Sequence, residues 1–478
     1  MAKQISRRIF IRYTALSASA AVLAACGASQ TSGTSQGSSP ATTAPTEAAS
    51  AATPVVAESA APAATTAPAT TSGTGSTVTV TYWGSFSGDL GKAEQEMVDS
   101  FNKSQTDVKV NLEPHASYEE TAQKLTAALQ AKTAPDIALL SDVWWFKFYI
   151  AKTLAPLNDL MKSANVDTSD YVDVLLKEGT RKDQIYWVPF ARSTPLFYYN
   201  KDMWAEAGLP DRGPETWTEF SEWATKLVKT QGDQITRAAF AHPNSGSYIA
   251  WLFQGVVWQY NGSYSDPDFT VRITEPPAIK AGQFYADSVN KLKWATTPKD
   301  VNQDFVNGLT ASAMASTGGL FSIVKTATFK VGTAFLPKQD SFGCPTGGSG
   351  FAVLARSPAE KQQAAAKFIA YATSKDGTIT WSQRTGYMPV RTSAVNDPKM
   401  EDFFKQNPNF KTAVDQLPKT RPQDAARVYI PNGDQIIGKG LEQITVGAGP
   451  VDAAFADVAK NLTDGAKPVV TAVKAIEG

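Results

Sequence analysis

The chain has 478 residues, with 45 Lys and Arg balanced by 45 Asp and Glu. Such a length calls for two or more folded units, or one long α/β chain with appendages, and zero net charge argues against a nucleic-acid partner, which needs a basic field. Two cysteines and two histidines, His115 and His242, make no four-ligand zinc site without carboxylates and leave few choices for a catalytic imidazole.

Ser6-Arg7-Arg8-Ile9-Phe10-Ile11-Arg12 leads into an apolar run from Tyr13 to Ala25, too short to span a membrane but right for the core of an export signal. The serine, paired arginines, aromatic and closing base resemble the twin-arginine signal, with Arg12 where lysine is usual. The run ends Leu23-Ala24-Ala25-Cys26, similar to a bacterial lipobox. Residues 1–25 therefore read as a signal peptide and Cys26 as a lipidation site, the alternative being ordinary cleavage with a chance cysteine. From Gly27 to Ser76 the only charged residues are Glu47 and Glu58, among Ala, Ser, Thr, Gly and Pro. Residues 26–76 are thus expected to form a flexible tether with a root-mean-square reach of about 40 Å. The expected location is extracytoplasmic, at the outer face of the cell membrane, held there by lipid alone. Cys344 then has no disulfide partner and reads as a buried small hydrophobe.

From Thr77 the texture changes. Thr77 to Trp83 alternates as a strand does, and Leu90, Ala93, Met97 and Phe101 recur at helical spacing. Val108 to Leu112 is a second strand, Tyr118 to Lys132 a helix, and Asp136 to Leu140 a short, apolar third strand. A continuous apolar strand between helices predicts a parallel sheet covered on both faces, with ligands beyond its carboxyl ends, just past which lie Trp83, Asp142 and Trp144. Further strands are expected at 186–189, 196–200, 312–316, 332–336 and 350–355. Helices are expected near 201–207, 217–229, 248–258, 277–292, 358–373 and 378–384, with a mainly helical remainder. A second α/β unit follows from this order.

Six segments occur in sequence: Tyr82-Trp83-Gly84-Ser85-Phe86-Ser87-Gly88, Ala134-Pro135-Asp136-Ile137, Ser193-Thr194-Pro195 through Tyr198-Tyr199-Asn200-Lys201-Asp202, Pro214-Glu215-Thr216-Trp217, Ala313-Met314-Ala315-Ser316 and Thr385-Gly386-Tyr387-Met388-Pro389. Together they resemble the family 1 extracellular solute-binding proteins of ABC importers, above all its glycerol-3-phosphate- and sugar-binding members, from Thr77 to about Leu441. The resemblance implies an α/β, two-lobed, periplasmic-binding-protein-like fold, each lobe a mostly parallel sheet flanked by helices, around a hinged cleft. The first lobe would hold residues 77–190 and 348–390, the second 191–347 and 391–478. It also implies a monomeric, non-enzymatic protein without cofactor or metal. Its partners would be a small polar solute (sugar, polyol or glycerophosphate) and the ABC permease subunits.

Taken position by position, the resemblance places ligand-binding roles on Tyr118, Asp142, Ser193, Ser316, Gly348 and Tyr387. The family's phosphate-pairing arginine falls on Ile437, which leaves a neutral sugar or polyol as open as a phosphoester, with Arg427 or Lys439 able to compensate. Because sugar C–H faces pack on aromatic rings, Trp83 and Trp251 join the candidates. Each residue also has a plainer reading: helix N-cap for Asp142, turn residues for Ser193 and Ser316, a packed ring for Tyr387. Two rival functions stand beside this one. A secreted glycoside hydrolase needs two carboxyls flanking one bond, and the strand ends offer no evident pair. A ferric-ion binder would use Tyr198 and Tyr199, yet adjacent strand residues face opposite ways.

Overall fold

In the computed structural model residues 77–244 and 246–478 are described, so the expected signal peptide, the Cys26 lipidation site and the tether up to Ser76 lie outside the described residues. The first strands follow the hydrophobic pattern. In β1 (Val78–Trp83) Val80 and Tyr82 are buried while their neighbours are not, whereas all five residues of β3 (Ile137–Ser141) are buried because helices cover both faces. β1 pairs in parallel with β2 (Val108–Glu113) and with β3, and helices α1 (Gly88–Ser104) and α2 (Tyr118–Ala131) connect them. After a small hairpin, β4 (Thr180–Arg181) and β5 (Gln184–Ile185), the chain forms β6 (Val188–Ser193) and crosses at Thr194 into β7 (Pro195–Asn200) of a second sheet.

That second sheet has the order β11-β10-β12-β7-β13, with β10 (Phe240–Ala241), β11 (Ala295–Thr296), β12 (Ser312–Ser316) and β13 (Val331–Ala334); β8 (Lys229–Gln231) and β9 (Gln234–Arg237) form a separate hairpin. The chain then returns through β14 (Gly347–Val353), completing the first sheet as β2-β1-β3-β14-β6. In each sheet four of the five strands run the same way and the fifth is antiparallel to both neighbours: β14 in the first, β7 in the second. The reversed strands are those that enter from the other lobe. The parallel strands point their carboxyl ends at the cleft, so a chain arriving across the cleft can only run away from it.

The lobe boundaries differ slightly from expectation, since β6 keeps residues up to Ser193 in the first sheet and β14 begins there at Gly347. The end of the chain differs more. Helix α5 (Val451–Glu477) starts in the apolar core of the second lobe, where Phe455, Val458 and Leu462 are buried, but its last part packs on the first lobe, Val469 sharing a cluster with Trp145, Phe146 and Tyr149. Most of the tryptophan is core: Trp145, Trp187, Trp204 and Trp217 are among the largest fully buried side chains. Cys344 is wholly buried against Thr194, and burial pushes its thiol up to about 12.

Candidate functional site

The carboxyl ends of β3, β6 and β12 and the amino end of β14 meet around a cavity of about 450 Å³, within the usual range for a small-molecule pocket. Tyr118, Asp142, Ser193, Trp251, Ser316, Gly348 and Tyr387 all line it, joined by Glu119, Ser141, Val143, Ser247, Tyr248, Arg427 and Gln435, among others. The first lobe supplies Tyr118, Asp142 and Tyr387, and the second supplies Tyr248, Trp251, Ser316 and Arg427.

Local chemistry explains each placement. Tyr118 opens α2 directly after Ser117, whose hydroxyl accepts from the Glu120 amide at 3.2 Å. Its phenol donates to Ser349 Oγ at 3.1 Å and lies 3.3 Å from the Tyr387 hydroxyl. Tyr387 stacks on Trp381 with ring centroids 6.0 Å apart, and burial pushes its hydroxyl up to about 12, so both phenols stay neutral donors. Asp142 is held by its own amide, which donates to the Gly348 carbonyl at 3.0 Å. Gly348 must be glycine: its φ is +102°, and a Cβ there would meet the Ala191 carbonyl oxygen at 2.1 Å. Ser316 does take the turn role, its hydroxyl accepting from the Gly318 amide at 3.1 Å, while its own amide donates to Tyr248 Oη at 2.8 Å. Trp251 anchors its indole N–H on the Thr346 carbonyl at 2.9 Å, leaving the ring edge against Gly347.

Two buried charges face this space, with the half-buried Glu119 at its edge. Asp142 is buried, and burial raises its carboxyl above the usual aspartate value, with the nearby Arg427 and Arg192 guanidinium groups and a Gln423 hydrogen bond pulling it back. Arg427 is 4% exposed, donates from Nη2 to the Ser247 carbonyl at 3.1 Å and from Nη1 to Gln423 Oε1, and keeps a buried Nε with no partner among the described residues. The Ser141 hydroxyl is likewise buried and unpartnered at the wall. The arrangement offers one buried carboxylate to accept hydroxyl donors, one buried guanidinium to hold an anion, and neutral hydroxyls between them. Among the described residues no three His, Cys, Asp or Glu side chains gather as a metal site requires.

Several expectations need correction. Trp83 does not join the cavity; strand alternation sends Tyr82 and Trp83 to opposite faces of the sheet, Trp83 half-buried beside the cluster that holds Leu125, with its indole donating to Glu113 at 2.7 Å, and β3 continues past it toward the cleft. Ile437, on which the arginine position was expected to fall, is fully buried in the second lobe's core on helix α4 (Gly433–Thr445), while Arg427 reaches the cavity. The tyrosine pair cannot hold one metal ion together: Tyr198 donates to the Ser316 carbonyl at 2.9 Å on one face of β7 and Tyr199 to Asp211 at 3.1 Å on the other. Tyr248 was not singled out, although it lies one helical turn before Trp251 on α3 (Gly246–Gln259), a spacing that puts both on one face.

Comparison with known proteins agrees with this geometry. Residues 96–412 match the family model of a bacterial extracellular solute-binding protein. The sn-glycerol-3-phosphate-binding periplasmic protein of Pectobacterium atrosepticum is 28% identical over 364 residues, covering 73% of this chain and 81% of its own length. Among solved structures, UgpB from Mycobacterium tuberculosis in complex with glycerophosphocholine superposes with a TM-score of 0.78 at 42% identity, over 81% of this chain and 98% of that one. The cyclic alpha-maltosyl-1,6-maltose binding protein of Arthrobacter globiformis shares the two-lobed fold with a TM-score of 0.68 at 24% identity, over 82% of this chain and 99% of its own. By the matched family model and by 42% identity across nearly the whole of a solved member, this chain belongs to the family of bacterial extracellular solute-binding proteins.

Proposed function

We propose that this protein captures a glycerophosphate-type solute, a small polyol carrying a phosphoester, and delivers it to an ABC importer without transforming it. The observation that carries the reading is Arg427, a buried cation at the cavity whose Nε has no partner among the described residues, lining the same space as the carboxylate of Asp142. A phosphoester would satisfy the guanidinium while its glycerol hydroxyls donate to Asp142 and exchange hydrogen bonds with Ser193 and the paired phenols. A relative named for binding sn-glycerol-3-phosphate and a solved relative in complex with glycerophosphocholine support the same ligand class. Because both lobes furnish contacts, the full set forms only when they close, so ligand shifts the population toward the closed state.

Isothermal titration calorimetry with sn-glycerol-3-phosphate, glycerophosphocholine, glycerol and maltose tests the ligand. We expect binding of the phosphoesters, weakened roughly 10- to 100-fold in Arg427→Met, the equivalent of one charge-assisted hydrogen bond of about 1.5–3 kcal/mol. Equal binding of maltose, untouched by that substitution, would overturn the phosphoester reading. Residues 1–26 support export and anchoring through a lipid on Cys26, which would keep the receptor beside its permease. In cells, a Cys26→Ser chain should then leave the membrane fraction, and its retention there would exclude the anchor.

A further inference from the structure

Asp142 and Arg427 face the same cavity with opposite charges, yet among the described residues no carboxylate lies within ion-pairing reach of Arg427. Gln423 stands between them. It is 8% exposed; its Nε2 donates to Asp142 Oδ2 at 2.6 Å and to the Thr346 carbonyl at 2.9 Å, and its Oε1 accepts from Arg427 Nη1. These partners fix the amide's orientation: two acceptors meet the nitrogen and a cation meets the oxygen, so a flipped amide would set like against like at both ends. The next residue roots the segment in the second lobe, for the Asp424 carboxylate accepts from Gln254 Nε2 at 2.9 Å, Trp258 Nε1 at 3.1 Å and the Tyr264 amide at 2.7 Å.

We infer that Gln423 is a positioning residue, a polar spacer that keeps Asp142 of the first lobe and Arg427 of the second from neutralising each other. Both charges then remain available to a ligand with hydroxyls at one end and an anion at the other. The inference rests on the phosphoester reading for its ligand, but not for its geometry. Opposite charges that close on each other in a low-dielectric cleft attract strongly, and the resulting ion pair would have to be broken before a ligand could use either group. The same ion pair would also draw the lobes together with no ligand present. An amide avoids both outcomes, giving each charge a hydrogen bond while holding them one side chain apart. Gln423 touches the ligand's partners rather than the ligand, since it does not line the cavity.

The decisive experiment is a crystal structure of the ligand-free Gln423→Met variant, similar in volume but without the amide. We expect the Arg427 guanidinium to move within 4 Å of Asp142; a guanidinium that stays where it is would overturn the spacer. In calorimetry the same variant should bind glycerophosphocholine at least tenfold more weakly. The pH midpoint that Asp142 imposes on binding, identified by its absence in Asp142→Asn, should move down, because a contacting guanidinium favours the charged carboxylate. A residue that merely donates to the carboxylate predicts the opposite, since losing that donor moves the midpoint up, and that result would also overturn the spacer. If the methionine variant fails to fold, Gln423→Leu serves with the same readouts: the guanidinium should again approach Asp142 and the midpoint fall, and a guanidinium that stays where it is would count against the inference. Wild-type protein that binds no phosphoester would sink the proposed ligand, while the Asp142 to Arg427 separation in the variant would still judge the spacer.

Discussion

Glu94 is a carboxyl group with no exposed surface, set on α1 behind the cleft wall. Tyr82 donates to its Oε1 at 2.5 Å, its Oε2 has no side-chain or backbone partner among the described residues by hydrogen-bond geometry, and burial raises its pKa from 4.5 to about 8. The site is closely packed: a Cβ on Gly84 would meet Oε2 at 2.4 Å. Folded protein therefore holds this proton over a range in which unfolded chain has released it. For a raised pKa the sign is fixed: the stabilisation is complete below pH 4.5 and is lost as pH climbs through about 8. Glu94→Gln removes the titration. The wild type should thus lose ground to the variant in thermal melts between pH 5 and 9, by on the order of 5 kcal/mol at full ionisation. A gap that stays flat across that range would mean that Glu94 is charged in the fold. The same ionisation would reach the cavity, because Phe86, in the loop that Glu94 supports, packs against both Tyr118 and Tyr387 with ring centroids 5.6 and 6.0 Å away.

At the scale of elements, what was legible in the sequence is what periodicity encodes. The unbroken apolar run of β3 foretold burial on both faces, and the helix expected from Tyr118 to Lys132 is α2, whose Leu125 is buried in the first lobe's core. At the start of α2, Ser117 is followed three residues later by Glu120, a pair not singled out in the sequence. The serine caps the helix, and the glutamate reaches back to the Ala116 amide at 2.9 Å, fixing the turn that presents Tyr118 to the cavity. Trp83 misled because position at a strand end says which end of the sheet a residue is near, whereas alternation decides which face it takes, and β3 runs further than β1. Arg427 could be named only as a residue able to compensate for Ile437, and its direction was hidden for a different reason. It sits in a four-residue helix, Ala425–Val428, followed by Asn432 in the left-handed region at φ 59°, a stretch with no repeat from which a side chain's direction could be projected. Ile437, in contrast, belongs to the regular helix α4, where Ile437, Leu441 and Ile444 form an inward stripe.

The whole molecule adds a constraint that neither lobe has alone. Helix α5 has 27 residues, about 40 Å at 1.5 Å per residue, and spans from the second lobe's core to the first lobe's surface. The sequence marked this stretch as helical, but not that one helix would change partner along its length. Pro468 lies where that change occurs, between Ala466 in the second lobe's cluster and Val469 in the first's, and proline removes one helical hydrogen bond there. Beyond it Glu477 is clasped, accepting from Arg181 Nε and Nη2 at 2.7 Å each and from Tyr149 Oη at 2.9 Å. Arg181 in turn lies over Phe146 and Tyr429, so the clasp adjoins both the segment after Asp142 and the segment after Arg427. Relative motion of the lobes must bend this helix at its proline or open the clasp. The Arg181 contact holds the Glu477 carboxyl below its usual pKa, so its stabilisation is present above pH 4.5 and disappears as pH falls through the lowered value. Glu477→Gln should cost about 1 kcal/mol at neutral pH, a bidentate but partly exposed pair, and the difference from wild type should vanish in acid. Hydrogen exchange is the sharper readout: amides of residues 469–477 should exchange faster in the variant while those of 451–466 keep their protection, because the two halves answer to different lobes. Equal acceleration along the whole helix would mean that it moves as one rigid rod and that Pro468 is no joint.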